Sequence, residues 1–157
     1  MAPPADGAER AVLAITRKYS YYTSVSIAER PSSLAGLVAL CHHRWVIPAL
    51  ARFHAEGGAL RFAVLQQRLG VARETTRRAL RAGESLGLVL RNPGYGHPLR
   101  PEYLLTGRGR AVAPACAALL RTVETHGLGA LAARKWTLPA LAALAAGATR
   151  FSGIEAA

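Results

Sequence analysis

Two helical patterns separated by a single glycine restrict this chain to very few folds. Residues 62–69 carry apolar side chains at i, i+3 and i+7, the spacing of one face of an α-helix. Gly70 ends this pattern. A second helical pattern runs from Val71 to Leu86, and Gly87 follows it as a helix-terminating glycine. Two helices joined by so tight a turn form a helix-turn-helix.

The segment that follows predicts a β-hairpin and a long helix. Residues 88–91 have the composition of a strand, residues 92–98 are rich in Gly and Pro, and residues 100–105 predict the returning strand. Thr106 can then cap a helix over residues 107–124. This order is the layout of a winged helix-turn-helix domain, so we predict a mainly α fold with a small β-hairpin (α+β).

Two shorter helices and a short strand precede this segment. Residues 34–41 and residues 44–54 each carry apolar side chains at helical spacing, and the second group includes Trp45. Pro48 lies in the first turn of that helix, where its missing N–H costs little. Residues 59–62 can form the strand.

A sequence repeat extends beyond this domain. Residues 134–141 repeat residues 43–50 at an offset of 91, and both copies contain a Trp followed three residues later by Pro. We therefore predict an N-terminal extension over residues 1–33, one complete winged domain over residues 34–126, and the helical, truncated start of a second repeat over residues 127–157. A tandem ancestry and a truncated chain explain this repeat equally well.

The charge balance indicates a polyanionic partner. The chain carries 20 Lys and Arg against 9 Asp and Glu, a net charge of +11 at pH 7. Nucleic acid is the favoured partner, and an anionic membrane is the weaker alternative. The N-terminus lacks a signal peptide, and the longest apolar stretch, residues 138–148, is too short to span a bilayer. We expect a soluble, cytoplasmic protein with no membrane partner.

The sequence contains no catalytic motif that indicates an enzyme. The sequence contains no GxSxG, P-loop or GxGxxG motif, and no pair of acidic residues suggests a general acid and base. Cys41, His42 and His43 are adjacent on a predicted helix, where their side chains diverge by about 100° per residue. We therefore expect no metal site and no cofactor.

The second helix of the helix-turn-helix carries the candidate DNA-reading residues. Arg73 and Arg77 lie on one stripe with Glu74 beside them; Arg can pair with guanine and Glu with cytosine in the major groove. Phosphate contacts are expected from four other arginines: Arg78, Arg81, Arg91 and Arg100. The alternative is a solvated basic face that binds nothing. Ten Arg against three Glu over residues 61–110 favour DNA binding.

Aromatic residues outside this helix allow three interpretations. Tyr19, Tyr21 and Tyr22, together with Trp45, are candidates to line a small-molecule pocket. The three tyrosines could instead contact DNA, or they pack an extension onto the core. Trp45 and Trp136 both lie on apolar helical faces, which predicts core positions for the two indoles.

The ordered motifs resemble those of the HxlR-type winged helix regulators of bacteria, relatives of the MarR group. The resemblance covers about residues 34–124 and rests on Arg44-Trp45, Arg61-Phe62, the helix from Val71 to Leu80, the segment Gly87 to Arg91, and the segment Glu102 to Arg110. It implies a transcription regulator that binds double-stranded promoter DNA as a homodimer and, as a further expectation, responds to a small-molecule effector.

The family that the chain resembles includes thiol-based sensors, and this makes Cys41 a candidate reactive thiol. The alternative is a buried structural Cys. Two positions depart from the family pattern. Ala72 stands where the recognition helix normally has a Ser cap, and Thr76 stands in an apolar position. These departures leave open a second function, a ligand-sequestering or partner-binding module on a degenerate scaffold, such as one giving self-resistance to a small molecule.

Leu138, Leu141 and Leu144 form an apolar stripe in the predicted second repeat. This stripe has to pack on the first copy or on a second chain, so we expect a dimer to which this helix or the helix over residues 107–124 contributes.

Overall fold

The computed structural model of the protein describes residues 34–93 and 101–148. Within them the elements follow the order α1 (Leu34–His42), α2 (Val46–Ala55), β1 (Ala59–Arg61), α3 (Phe62–Leu69), α4 (Arg73–Ser85), β2 (Val89–Asn92), β3 (Glu102–Leu105), α5 (Gly107–Thr125), α6 (Gly129–Ala132) and α7 (Thr137–Ala145). The predicted winged helix-turn-helix order, mainly α with a small sheet, is confirmed.

Helices α3 and α4 form the helix-turn-helix. Gly70 adopts the left-handed conformation at φ 64°, and its N–H donates to the carbonyls of Gln66 and Gln67, which ends α3. The chain is then extended at Ala72, and α4 begins at the next residue. Gly87 closes α4 with φ 66°. A residue with a Cβ would be strained at both glycines, so the sequence fixes both helix ends.

The wing is part of a three-stranded antiparallel sheet with the strand order β1-β3-β2. The predicted hairpin of β2 and β3 is present, with Leu90 opposite Leu104. The sheet also includes β1, which places Leu60 opposite Tyr103 on the other side of β3. The sequence predicted the strand but not its partner, because the two strands are far apart along the chain.

The core is centred on α2, which packs against α5 and also contacts α1, α3 and α4. The largest fully buried side chains are Phe53, Leu50, Leu65, Val46 and Thr76. Pro48 is the third residue of α2, within the first turn as predicted, so its missing N–H breaks no helical hydrogen bond.

The start of α5 is attached to the wing by a short polar network. Thr106 caps the helix as predicted: its Oγ1 accepts a hydrogen bond from the Gly109 N–H at 3.0 Å and donates one to the Gly87 carbonyl at 2.7 Å. The Thr106 N–H donates to the Leu88 carbonyl at 3.0 Å. Gly109 lies so close to Leu88 that an added Cβ would overlap the Leu88 carbonyl oxygen.

Helix α7 packs on α1, so the segment that contains α6 and α7 folds back onto the first helix of the domain. Pro139 and Ala143 are buried, and Leu138 packs against the core. The predicted core position of Trp136 is wrong, since this side chain is 59 % exposed. Trp136 precedes the first residue of α7, and no element among the described residues covers that side of the helix.

No single helix in the described part of the chain is long and apolar enough to cross a membrane. Helices α1 and α2 together have the length and apolar composition of a membrane span, but the chain bends by 96° at the break between them.

Candidate nucleic-acid interface

Helix α4 has one buried face and one basic face. Thr76, Ala79 and Leu80 are buried against the domain. The five predicted contact residues of this helix lie on the outward side, where Arg77 is half-exposed and the others are exposed: Arg73, Glu74, Arg77, Arg78 and Arg81. The structure therefore places them together on a surface that a DNA groove can reach.

Glu74 connects two of these arginines. Its Oε2 lies 2.8 Å from Nη1 of Arg77, and its Oε1 lies 3.5 Å from Nε of Arg78. The hydrogen bond from Arg77, reinforced by the charges of Arg77, Arg78 and Arg81, lowers the pKa of Glu74 below its ordinary value. Glu74 is therefore ionised at neutral pH and orients Arg77. Solvent screens this exposed ion pair, so Arg77 can exchange it for a base contact.

Arg73 is positioned by the preceding helix. Its guanidinium carbon lies 5.5 Å from the centroid of the Phe62 ring, a distance typical of cation–π contacts. Phe62 is the first residue of α3 and is partly buried against the core. The contact holds the first residue of α4 close to α3 and leaves the guanidinium edge accessible. Phe62 of the Arg61-Phe62 motif thus supports the start of α4, a role that the sequence did not predict.

One of the two departures from the family pattern, Thr76, is accommodated by a local hydrogen bond. Ala72 occupies the cap position of α4, and no side chain caps that end. Thr76 is fully buried, and its Oγ1 donates to the Ala72 carbonyl at 3.4 Å. No described buried side-chain N or O atom lacks a hydrogen-bond partner. The hydroxyl in the apolar position is therefore satisfied within the first turn of the helix itself.

Arg91 is exposed on β2, opposite Tyr103 of β3. The other predicted wing residue, Arg100, lies outside the described residues. Arg108, which the sequence did not identify as a contact residue, is exposed in the first turn of α5. Its Nη1 would lie 3.8 Å from a Cβ added to Gly87. Arg108 therefore adds positive charge beside the end of α4. Its position within the motif from Glu102 to Arg110 was the signal that could have identified it.

Both cysteines are free thiols buried in the core. Burial raises the pKa of Cys41, and burial together with the neighbouring Cys41 raises the pKa of Cys116 to about 11. A reactive sensor thiol needs the opposite, a lowered pKa and exposure to solvent. These surroundings favour the structural role that was the alternative for Cys41; the sensor role stays an untested prediction.

The candidate ligand pocket falls mostly outside the described residues, because Tyr19, Tyr21 and Tyr22 belong to residues 1–33. Trp45 precedes α2 and is partly buried against the core, as predicted for packing, with the Arg44 guanidinium 5.4 Å from its ring centroid. In the described part of the chain, no group of three His, Cys, Asp or Glu side chains could hold a metal ion.

The chain is similar to a known protein family and to solved structures. A family model described as HxlR-like helix-turn-helix matches residues 40–128. Among solved structures, the crystal structure of a transcriptional regulator of the MarR family from Enterococcus faecalis V583 is 25 % identical in sequence. The match covers 67 % of this chain and 96 % of that chain, with a TM-score of 0.49. A search of the curated proteins found no match.

Proposed function

Because the chain belongs to the HxlR-like helix-turn-helix family, whose members are DNA-binding transcription regulators, we propose that it binds promoter DNA as a homodimer through α4 and the wing. The observation that carries the proposal is the pairing of Glu74 and Arg77 on the outward face of α4. A buried inner face fixes this helix to the domain, and the outer face presents oriented donors and one acceptor.

In this proposal α4 lies in the major groove, and the residues near its N-terminus contact the base edges. Arg73 and Arg77 pair with O6 and N7 of guanine, and Glu74 accepts from N4 of cytosine. The cation–π contact of Arg73 and the ion pair of Arg77 reduce the freedom of both side chains before DNA arrives, which lowers the entropy cost of binding.

The remaining basic residues neutralise phosphates. Arg81 continues the stripe of Arg73 and Arg77 along α4, and Arg78 lies beside it. Arg91 extends the basic surface onto β2, and Arg108 extends it to the start of α5. Arg100, which lies outside the described residues, stays a predicted phosphate contact. Phosphate contacts fix the position of a protein on the duplex and carry no sequence information themselves. The net charge of +11 makes this sequence-independent attraction strong at low salt.

The first experiment is fluorescence anisotropy with labelled DNA from upstream of the protein's own gene and with scrambled DNA of equal length, across a salt series. Specific recognition predicts a preference for the upstream DNA that persists near physiological salt. Equal affinity for both duplexes, lost steeply as salt rises, would indicate counterion release alone. That outcome would contradict the proposal and favour a ligand-sequestering or partner-binding module.

Arg77→Ala separates base reading from general attraction. Losing a bidentate guanine contact costs about 1–3 kcal/mol of discrimination, so the variant should bind the specific duplex about 5- to 150-fold more weakly and prefer it less. Arg121→Ala is the matched control, because it removes the same charge from an exposed position on α5. If both variants lost affinity equally for specific and scrambled DNA, Arg77 would be a phosphate contact.

A further inference from the structure

The carboxylate of Glu74 lies among the arginines on the outward face of α4. Its Oε2 accepts a hydrogen bond from Nη1 of Arg77 at 2.8 Å, whereas its Oε1 is paired more loosely, 3.5 Å from Nε of Arg78. The side chain of Glu74 is 50 % exposed, and that of Arg77 is 42 % exposed. The closest ion pair of the reading surface is therefore open to any DNA that approaches α4.

A negative charge at this position opposes general attraction to DNA. Phosphates attract the arginines of α4 and repel Glu74, and the ion pair neutralises part of the charge of Arg77 and Arg78. The pair contributes little to the stability of the fold, because water solvates both exposed partners. Its main effect is therefore expected on binding rather than on folding.

The major groove offers few partners to a carboxylate. Guanine presents the acceptors N7 and O6, and thymine presents the acceptor O4 and a methyl group, so neither base can donate a hydrogen bond to Glu74. The amines that can donate are N4 of cytosine and N6 of adenine. At the base that it faces, Glu74 therefore separates cytosine and adenine from guanine and thymine.

The ion pair links this discrimination to the base that Arg77 reads. To contact guanine, Arg77 exchanges Glu74 for the base, and the carboxylate loses its closest partner. An amine on a neighbouring base pair replaces that partner. Where no amine faces Glu74, either the ion pair stays closed and Arg77 stays neutralised, or it opens and leaves a carboxylate near the phosphates without a partner. Both outcomes weaken binding.

We propose that Glu74 determines the sequence preference of this surface by rejecting unsuitable DNA. The inference rests on the proposed function and deepens it by naming the class of DNA that is accepted. That DNA has a guanine at the position read by Arg77 and, on a neighbouring base pair, a cytosine or adenine whose amine faces Glu74. Only this class gives both side chains a new partner when their ion pair opens.

Glu74→Gln removes the charge and keeps the size of the side chain. In fluorescence anisotropy with scrambled DNA, this variant should bind about 5-fold more tightly than the wild type near physiological salt, because one more arginine is free to neutralise a phosphate. The slope of log affinity against log salt should be steeper by about one unit. Glu124→Gln makes the same change at an exposed position near the end of α5 and should leave both values unchanged.

A purely structural role of Glu74 predicts the opposite sign. The residue lies in the first turn of α4, where a carboxylate offsets the helix dipole. If that were its whole role, Glu74→Gln would weaken binding to every duplex. Glu74→Asp keeps the charge in that turn on a shorter side chain, so it should bind scrambled DNA as the wild type does but lose the preference for cytosine or adenine. A Glu74→Gln variant that binds scrambled DNA no more tightly than the wild type would overturn the inference.

Selection of duplexes from a random pool, followed by sequencing, tests the base preference. The wild type should enrich guanine together with a neighbouring cytosine or adenine. Glu74→Gln should still enrich guanine, but its discrimination at the neighbouring position should fall by at least about 5-fold. Arg77→Ala should lose the preference for guanine instead. A Glu74→Gln variant with the wild-type preference at every position would contradict the inference.

The proposed function and this inference fail in different ways. A wild type that enriches no sequence contradicts the proposed function, and no preference is then left for Glu74 to determine. A wild type that enriches a sequence which Glu74→Gln enriches equally leaves the proposed function in place and overturns the inference alone.

Discussion

Replacing Gly109 with Ala should destabilise the domain, although Ala is the better helix former. The added Cβ would overlap the Leu88 carbonyl oxygen and would lie 3.0 Å from the Leu88 carbonyl carbon and 3.1 Å from Cδ2 of Leu105. The main obstacle is backbone and cannot rotate away, so α5 would have to retreat from the sheet by roughly 1 Å to restore an ordinary carbon–oxygen contact.

That retreat strains the network between α5 and the wing. Overpacking of this kind costs about 1–3 kcal/mol. Stretching the 3.0 Å bond from the Thr106 N–H to the Leu88 carbonyl removes about 1 kcal/mol more. The higher helix propensity of Ala returns at most about 1 kcal/mol. The net expectation is a loss of about 2 kcal/mol in the free energy of unfolding, which corresponds to a fall in Tm of about 4–8 °C.

Gly107→Ala is the matched control, because it makes the same change at the first residue of α5, where nothing lies within 4 Å of the added Cβ. Urea denaturation of both variants, followed by circular dichroism, gives the two free energies of unfolding. Gly107→Ala should be as stable as the wild type or up to about 1 kcal/mol more stable. The reasoning is refuted if Gly109→Ala is as stable as the wild type or as Gly107→Ala.

Two further predictions concern buried groups. In urea denaturation, the free energy of unfolding of Thr76→Val should lie within about 1 kcal/mol of the wild type, because the hydrogen bond it removes is long at 3.4 Å. Thr76→Ser should lose about 1 kcal/mol, because it removes the buried methyl group. A Val variant less stable than the Ser variant would contradict this order. In the native protein, neither Cys41 nor Cys116 should react quickly with a disulfide reagent at pH 8. The pKa values of both thiols are raised, that of Cys116 to about 11, and the reactive thiolate forms only as the pH rises towards those values. Both thiols should react within seconds after unfolding, and rapid native labelling of Cys41 would favour the thiol-sensor interpretation.

The sequence by itself determined the features that depend on near neighbours. The bounds of α3, the left-handed glycines at positions 70 and 87, and the Thr106 cap follow from side-chain spacing and backbone sterics within a few residues. The basic stripe of α4 was predictable for the same reason, because residues three and four apart share a helical face. The ion pairs of Glu74 with Arg77 and Arg78 have this spacing too.

The tertiary structure decided which surfaces meet. The pairing of β1 with β3 and the contact of Arg73 with Phe62 depend on how the chain folds back, and the burial of both thiols raises their pKa values in a way that spacing could not predict. Trp45 and Trp136 show the division most clearly. The two local sequences share four of eight residues. They give nearly the same φ and ψ, and in each the preceding basic residue makes a cation–π contact, yet one indole packs on the core and the other is 59 % exposed. Local residues determine the backbone, whereas burial depends on whether another element covers the helix, as α5 covers α2.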